Sequence, residues 1–116
     1  MDFEPGAATA ALRDRVRDFL DTHVYPRERE LLAALDDEVR AGVPYPAALV
    51  EIRERAKAEG LWNLFLPDDE HGAGLSNAEY AVLCEEMGRS PAVAPMAFNC
   101  AAPDTGNMEI LLEHGT

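Results

Sequence analysis

The chain has 116 residues, 47% of them apolar and 28% charged, with a formal net charge of −12. That length fits one domain around one core, since a chain of this size buries roughly two thirds of its unfolded surface, and the apolar share excludes a disordered chain. Nine of the ten Lys and Arg lie at or before Lys57 and ten acidic residues follow from Glu59 onward, which argues against nucleic acid or anionic lipid as a partner of the second half.

Five helical patterns are predicted. In "ATAALRDRVRDFLDTH", Leu12, Val16, Phe19 and Leu20 share one face at i, i+4, i+7 and i+8. A second helix follows Pro26, with Glu28 and Glu30 near its positive end and Leu31, Leu32, Leu35 and Val39 as its stripe; Gly42 and Pro44 end it. The third starts near Pro46, buries Leu49, Val50, Ile52 and Ala56, and closes at Gly60. "LWNLFLP" is too short for a helix and is expected as an extended connector over the core; "DDEHGAG" is a loop.

"SNAE", Ser76 to Glu79, is a capping box that opens the fourth helix. Tyr80, Leu83, Cys84 and Met87 form its stripe, and Gly88 stops it. "RSPAVAPMAF" is a connector with at most a short helical piece. The last helix begins at Asp104 or Thr105, either able to cap it, and carries Met108, Ile110, Leu111 and Leu112. The fold class expected is all-α, an irregular up-and-down bundle of about five helices, with residues 1–10 a flexible leader and 11–116 the domain.

No residue pattern specifies a reaction. His23, His71 and His114 are far apart. "DDEH" gathers four potential metal ligands, but a solvated acidic turn accounts for it. Glu85 and Glu86 point about 100° apart on a helix and cannot share a site, so both are expected as exposed charges. Ser76 is explained as a cap. "HGAGL" lacks the spacing of a dinucleotide fingerprint. Cys84 and Cys100 form no CxxC and read as two thiols of a reducing cytosol, with a disulfide still open. No run of about 18 apolar residues spans a membrane, and the N-terminus has no secretory pattern.

The ordered pieces "DTHVYP", "RAKAEGLWNLFLPDD", "HGAGLS", "EEMGRSPAVAP" and "NCAAPDTGNMEILLEHGT" together resemble the N-terminal helical domain of acyl-CoA dehydrogenases. Most members of the family carry E-x-x-G-G-x-G in this turn; here His71 stands at the first glycine, leaving Gly72 and Gly74. "HGAGLSNAEY" and "APDTGNME" are more similar to the subgroup whose animal members are fused to kinase-like domains. The resemblance implies an FAD-dependent dehydrogenation of an acyl-CoA to a 2-enoyl-CoA, in a homo-oligomer; the cytoplasmic setting is expected from the two thiols and the N-terminus. It implies that the catalytic base and most flavin contacts lie in a middle β-domain and a C-terminal helical domain that this sequence does not contain, so that the fragment alone is inactive and holds no FAD. By position it makes Phe98, Ala101, Ala102 and Thr105 the substrate-binding residues, one wall of an acyl pocket. The two alanines leave room for a longer or branched chain; alternatively, "AAP" only lets the loop pass a neighbouring helix. Two other readings stand beside it: an acidic, non-catalytic interaction module, and an acyl or CoA carrier. The second is disfavoured by the lack of a basic cluster for the CoA phosphates.

Overall fold

The computed structural model describes residues 3–42 and 45–116, with the side chain of Val39 left aside. The expected role of Val39 in the second stripe and of Pro44 as a helix stop therefore lie outside the described residues. The fold is all-α. Among the described residues there is no strand, and the helices are α1 (Ala7–Phe19), α2 (Glu28–Arg40), α3 (Ala47–Ala58), α4 (Asn77–Met87), the single turn α5 (Ala94–Ala97) and α6 (Asp104–His114). α1 starts at Ala7, and Thr9 is buried in it.

No loop separates α1 from α2. A π turn at Leu20–Val24 and a 3-10 turn at Tyr25–Arg27 carry the chain between them. Pro26 has no N–H to continue the α ladder, so the spacing changes there. Leu20 and Val24 are still buried one turn apart, extending the stripe of Val16 and Phe19. α1 packs on α4 and α3 on α5. The core joins Val16, Phe19, Leu20, Leu31, Leu49, Ile52, Leu83, Met87, Val93 and Phe98.

The caps explain most boundaries. Ser76 accepts the Glu79 N–H at 3.3 Å while the Glu79 carboxylate accepts the Ser76 N–H at 2.8 Å. Gly60 (φ +72) and Gly42 (φ +80) take the left-handed conformation that ends α3 and α2. Gly88 does not; its φ is −61, and the turn at Arg89 and Ser90 closes α4 with carbonyls of its last residues. Nor do Asp104 or Thr105 cap α6. Pro103 holds the N-cap position with no side-chain cap, and Asp104 is the first helical residue.

Several expected core residues face outward. Leu32 and Val50 are exposed, as is Cys84 at the edge of the α4 stripe. The opposite holds for "LWNLFLP". It is a series of turns and bends rather than an extended connector, and Leu61, Leu64 and Leu66 are buried. Glu86 is not a solvated helix charge either: its side chain is 12% exposed and pairs with Arg17 of α1 at 2.5 Å.

α6 stands apart from this core. It buries no residue completely, and Ile110 and Leu111 are 59% and 68% exposed. The molecule measures 46 × 37 × 25 Å with a radius of gyration of 14.7 Å, above the roughly 13 Å of a compact chain of this length.

Candidate functional site

The loop between α5 and α6 gathers most of the candidate residues. Its path is set by its ends. Cys100 N–H donates to the Pro95 carbonyl at 2.8 Å, and Asn99 N–H to Met96 at 3.3 Å, so the chain folds back over the short α5. Asn99 adopts φ +58, a left-handed conformation that Asn tolerates better than most residues. The Ala102–Pro103 peptide is cis.

Beyond that reversal, Cys100, Ala101 and Ala102 form one edge of an apolar groove of about 630 Å³. Leu32 and Leu35 of α2 and Pro95 and Met96 of α5 line it as well. The only ionisable carboxylate of the lining is Asp36, paired with Arg40 at 2.8 Å. Cys100 Sγ lies 3.7 Å from Met87 Sδ, and burial pushes its thiol pKa up. The thiol is therefore a neutral, soft part of the wall rather than a nucleophile.

The four candidates do not share one surface. Ala101 and Ala102 line the groove. Phe98 is 1% exposed, its ring 5.2 Å from that of Phe19, inside the core behind the wall. Thr105 is half-buried in the first turn of α6 and is not part of the lining. Leu32, Met96 and Cys100 are groove residues that sequence reasoning passed over. The stripe of α2 predicts Leu32 inward, and nothing in the spacing of Met96 and Cys100 signals that they line one groove with Leu32, 64 and 68 positions away.

A second groove, about 800 Å³, runs beside α6 and is lined by Asn63, Leu66, Met108, Leu111, Leu112 and both His71 and His114. His71 already has a partner. Asp68 accepts the His71 N–H and faces its Nδ1, both at 2.9 Å. The carboxylate raises the His71 pKa through this hydrogen bond, and the same bond lowers that of Asp68. The residues closing this turn explain its glycines. A Cβ on Gly72 would sit 2.2 Å from the Leu66 carbonyl oxygen, and Gly74 has φ +63. Position 71 needs no glycine, since the positive-φ non-glycine residues among those described are Asn63 and Asn99.

Neither groove is lined by Lys or Arg. A dinucleotide pyrophosphate needs such cations, or a glycine-rich cradle of N–H groups at a helix start. The residues lining these grooves do not fit FAD.

The sequence profile described as acyl-CoA dehydrogenase, N-terminal domain, matches residues 7–116. The chain belongs to the acyl-CoA dehydrogenase family, as its N-terminal domain. This domain is 49% identical over 115 residues to acyl-CoA dehydrogenase family member 10 of Mus musculus, covering 94% of the chain and 10% of that protein. It is 47% identical over 120 residues to the probable acyl-CoA dehydrogenase FadE2 of Mycobacterium tuberculosis, covering 100% and 28%. A solved Mycobacterium abscessus structure assigned to the acyl-CoA dehydrogenases superposes with a TM-score of 0.82 at 48% identity, over 97% of the chain and 29% of that protein. The domain thus spans less than a third of the length of these relatives.

Proposed function

We propose that the chain is the N-terminal helical domain of an FAD-dependent enzyme that oxidises an acyl-CoA thioester to its 2-enoyl-CoA, and that it supplies one wall of the acyl pocket. The observation that carries the pocket reading is the apolar groove edged by Ala101 and Ala102. A hydrocarbon chain gains about 0.8 kcal/mol for each methylene it buries, and this lining offers apolar contact with no unpaired charge. In this reading Phe98 supports the wall from behind.

The reaction itself is assigned to groups outside these residues. Glu86 is unsuited to be the base, because Arg17 holds its carboxyl below the usual range by hydrogen bonding and charge, whereas a base that works near neutral pH needs a matched pKa. FAD, the remaining domains, the homo-oligomeric state and a cytoplasmic setting belong to the same proposal. Two tests address it. In the complete enzyme, Ala102→Phe fills the groove edge and shifts the preference toward shorter acyl chains; an unchanged chain-length profile refutes the pocket role. The isolated domain purifies without absorbance near 450 nm, and a yellow preparation refutes the assignment of flavin contacts elsewhere.

A further inference from the structure

Arg53 of α3 meets the groove wall from the other side. Its guanidinium carbon lies 4.4 Å from the ring centre of Tyr45 and 4.8 Å from that of Trp62. The flat cation is thus held by two aromatic faces. From there Nη1 donates to the Met96 carbonyl, and Nη2 donates to Asn99 Oδ1 at 3.1 Å. The other end of the Asn99 amide is fixed as well. Its Nδ2 donates to Asn63 Oδ1 at 2.8 Å, and the Asn63 N–H donates to the Phe98 carbonyl at 3.2 Å. Asn63 and Asn99 both take positive φ, +56 and +58. Two residues in a costly backbone conformation therefore face each other, amide to amide, with the guanidinium as the third member.

None of the ion pairs among the described residues involves Arg53. Its partners are a carbonyl, an amide oxygen and two rings. Only a planar, forked donor satisfies all four; an ammonium at the same place is a point charge that cannot stack and bridge together.

We infer that Arg53 is a positioning residue for the groove wall: through Met96 and Asn99 it fixes where the chain reverses, and so where Cys100, Ala101 and Ala102 stand. The acyl-specificity part of this inference rests on the function proposed above; the positioning part does not.

The test pairs Arg53→Lys, which keeps the charge, with Asn99→Gly, which keeps access to positive φ and removes the side-chain acceptor. Amide hydrogen exchange is read in the 116-residue chain. Either substitution removes a hydrogen bond to a charged donor, so exchange at Asn99 and Cys100 is expected to rise by about tenfold or more. Tyr80 and Gly88, bonded within α4, remain unchanged. The double variant exchanges more slowly than the product of the two single effects predicts, because the Arg53–Asn99 bond is counted in both. Unchanged exchange at Asn99 and Cys100, or equal acceleration throughout, overturns the positioning role. In the complete enzyme, Arg53→Lys is expected to change the ratio of kcat/KM between long and short acyl thioesters several-fold at unchanged flavin content. If local exchange responds and that ratio does not, the specificity part fails and the clamp stands.

Discussion

Phe98 separates two roles that one position can be given by resemblance. A residue lining a ligand pocket can lose its side chain with little effect on stability. A ring fully enclosed against Phe19 cannot, because the space it leaves is closed off by neighbours that relax only in part. Phe98→Ala is therefore expected to cost about 3–5 kcal/mol in denaturant unfolding of the domain, and a loss below 1 kcal/mol would place the ring outside the core. Neighbouring Asn99 illustrates what residue type alone can signal. An Asn before a Pro-containing turn is compatible with positive φ, yet its partners Arg53 and Asn63 are 46 and 36 residues away. No local pattern announces a side chain that serves a distant loop.

Among the elements, α1 and α4 form the principal helix pair, and their contact holds an ion pair in a half-buried place. Arg17 Nη2 lies 2.5 Å from Glu86 Oε1, while Arg89 approaches the other oxygen at 3.7 Å. The sequence predicts Glu86 as an exposed helix charge; the packing of α1 on α4 makes its place an interface. Arg17 remains 42% exposed and partly screened by water, so the contribution is modest. Glu86→Gln is expected to lower Tm by about 3 °C at pH 7. The sign with pH follows from the depressed carboxyl pKa in the folded state. The contribution is complete above the unfolded value of about 4.3 and is lost as pH falls through the folded value. Thermal melts across pH 7 to 3 should show the gap between wild type and variant closing in acid; a constant gap would mean the charge is not involved. The beginning of α4 was legible for the opposite reason, since a capping box is closed within four residues. α6 was legible as a helix and not in its setting, because its apolar positions are the same whether or not they find a neighbour.

At the scale of the whole molecule, the net charge of −12 acts over dimensions of 46 × 37 × 25 Å. The screening length is about 30 Å at 0.01 M salt and about 8 Å at 0.15 M. Low salt therefore leaves like charges repelling across the domain, whereas ion pairs at 2.5–3.9 Å are less affected. Raising NaCl from 0.01 to 0.3 M is expected to increase Tm by a few degrees; a decrease would show that the ion pairs outweigh the self-repulsion. The sequence by itself determined the all-α class, the start of α4, the glycine ends of α2 and α3, and the family, because each rests on local periodicity, local caps or the order of short pieces. Tertiary structure alone decided that Leu32 edges a groove, that the leucines of "LWNLFLP" are core, that Glu86 lies in an interface and that Arg53 holds the wall beside Ala101 and Ala102. Each of these depends on which elements meet, and an amphipathic pattern fixes which side of a helix is apolar without fixing what arrives to cover it.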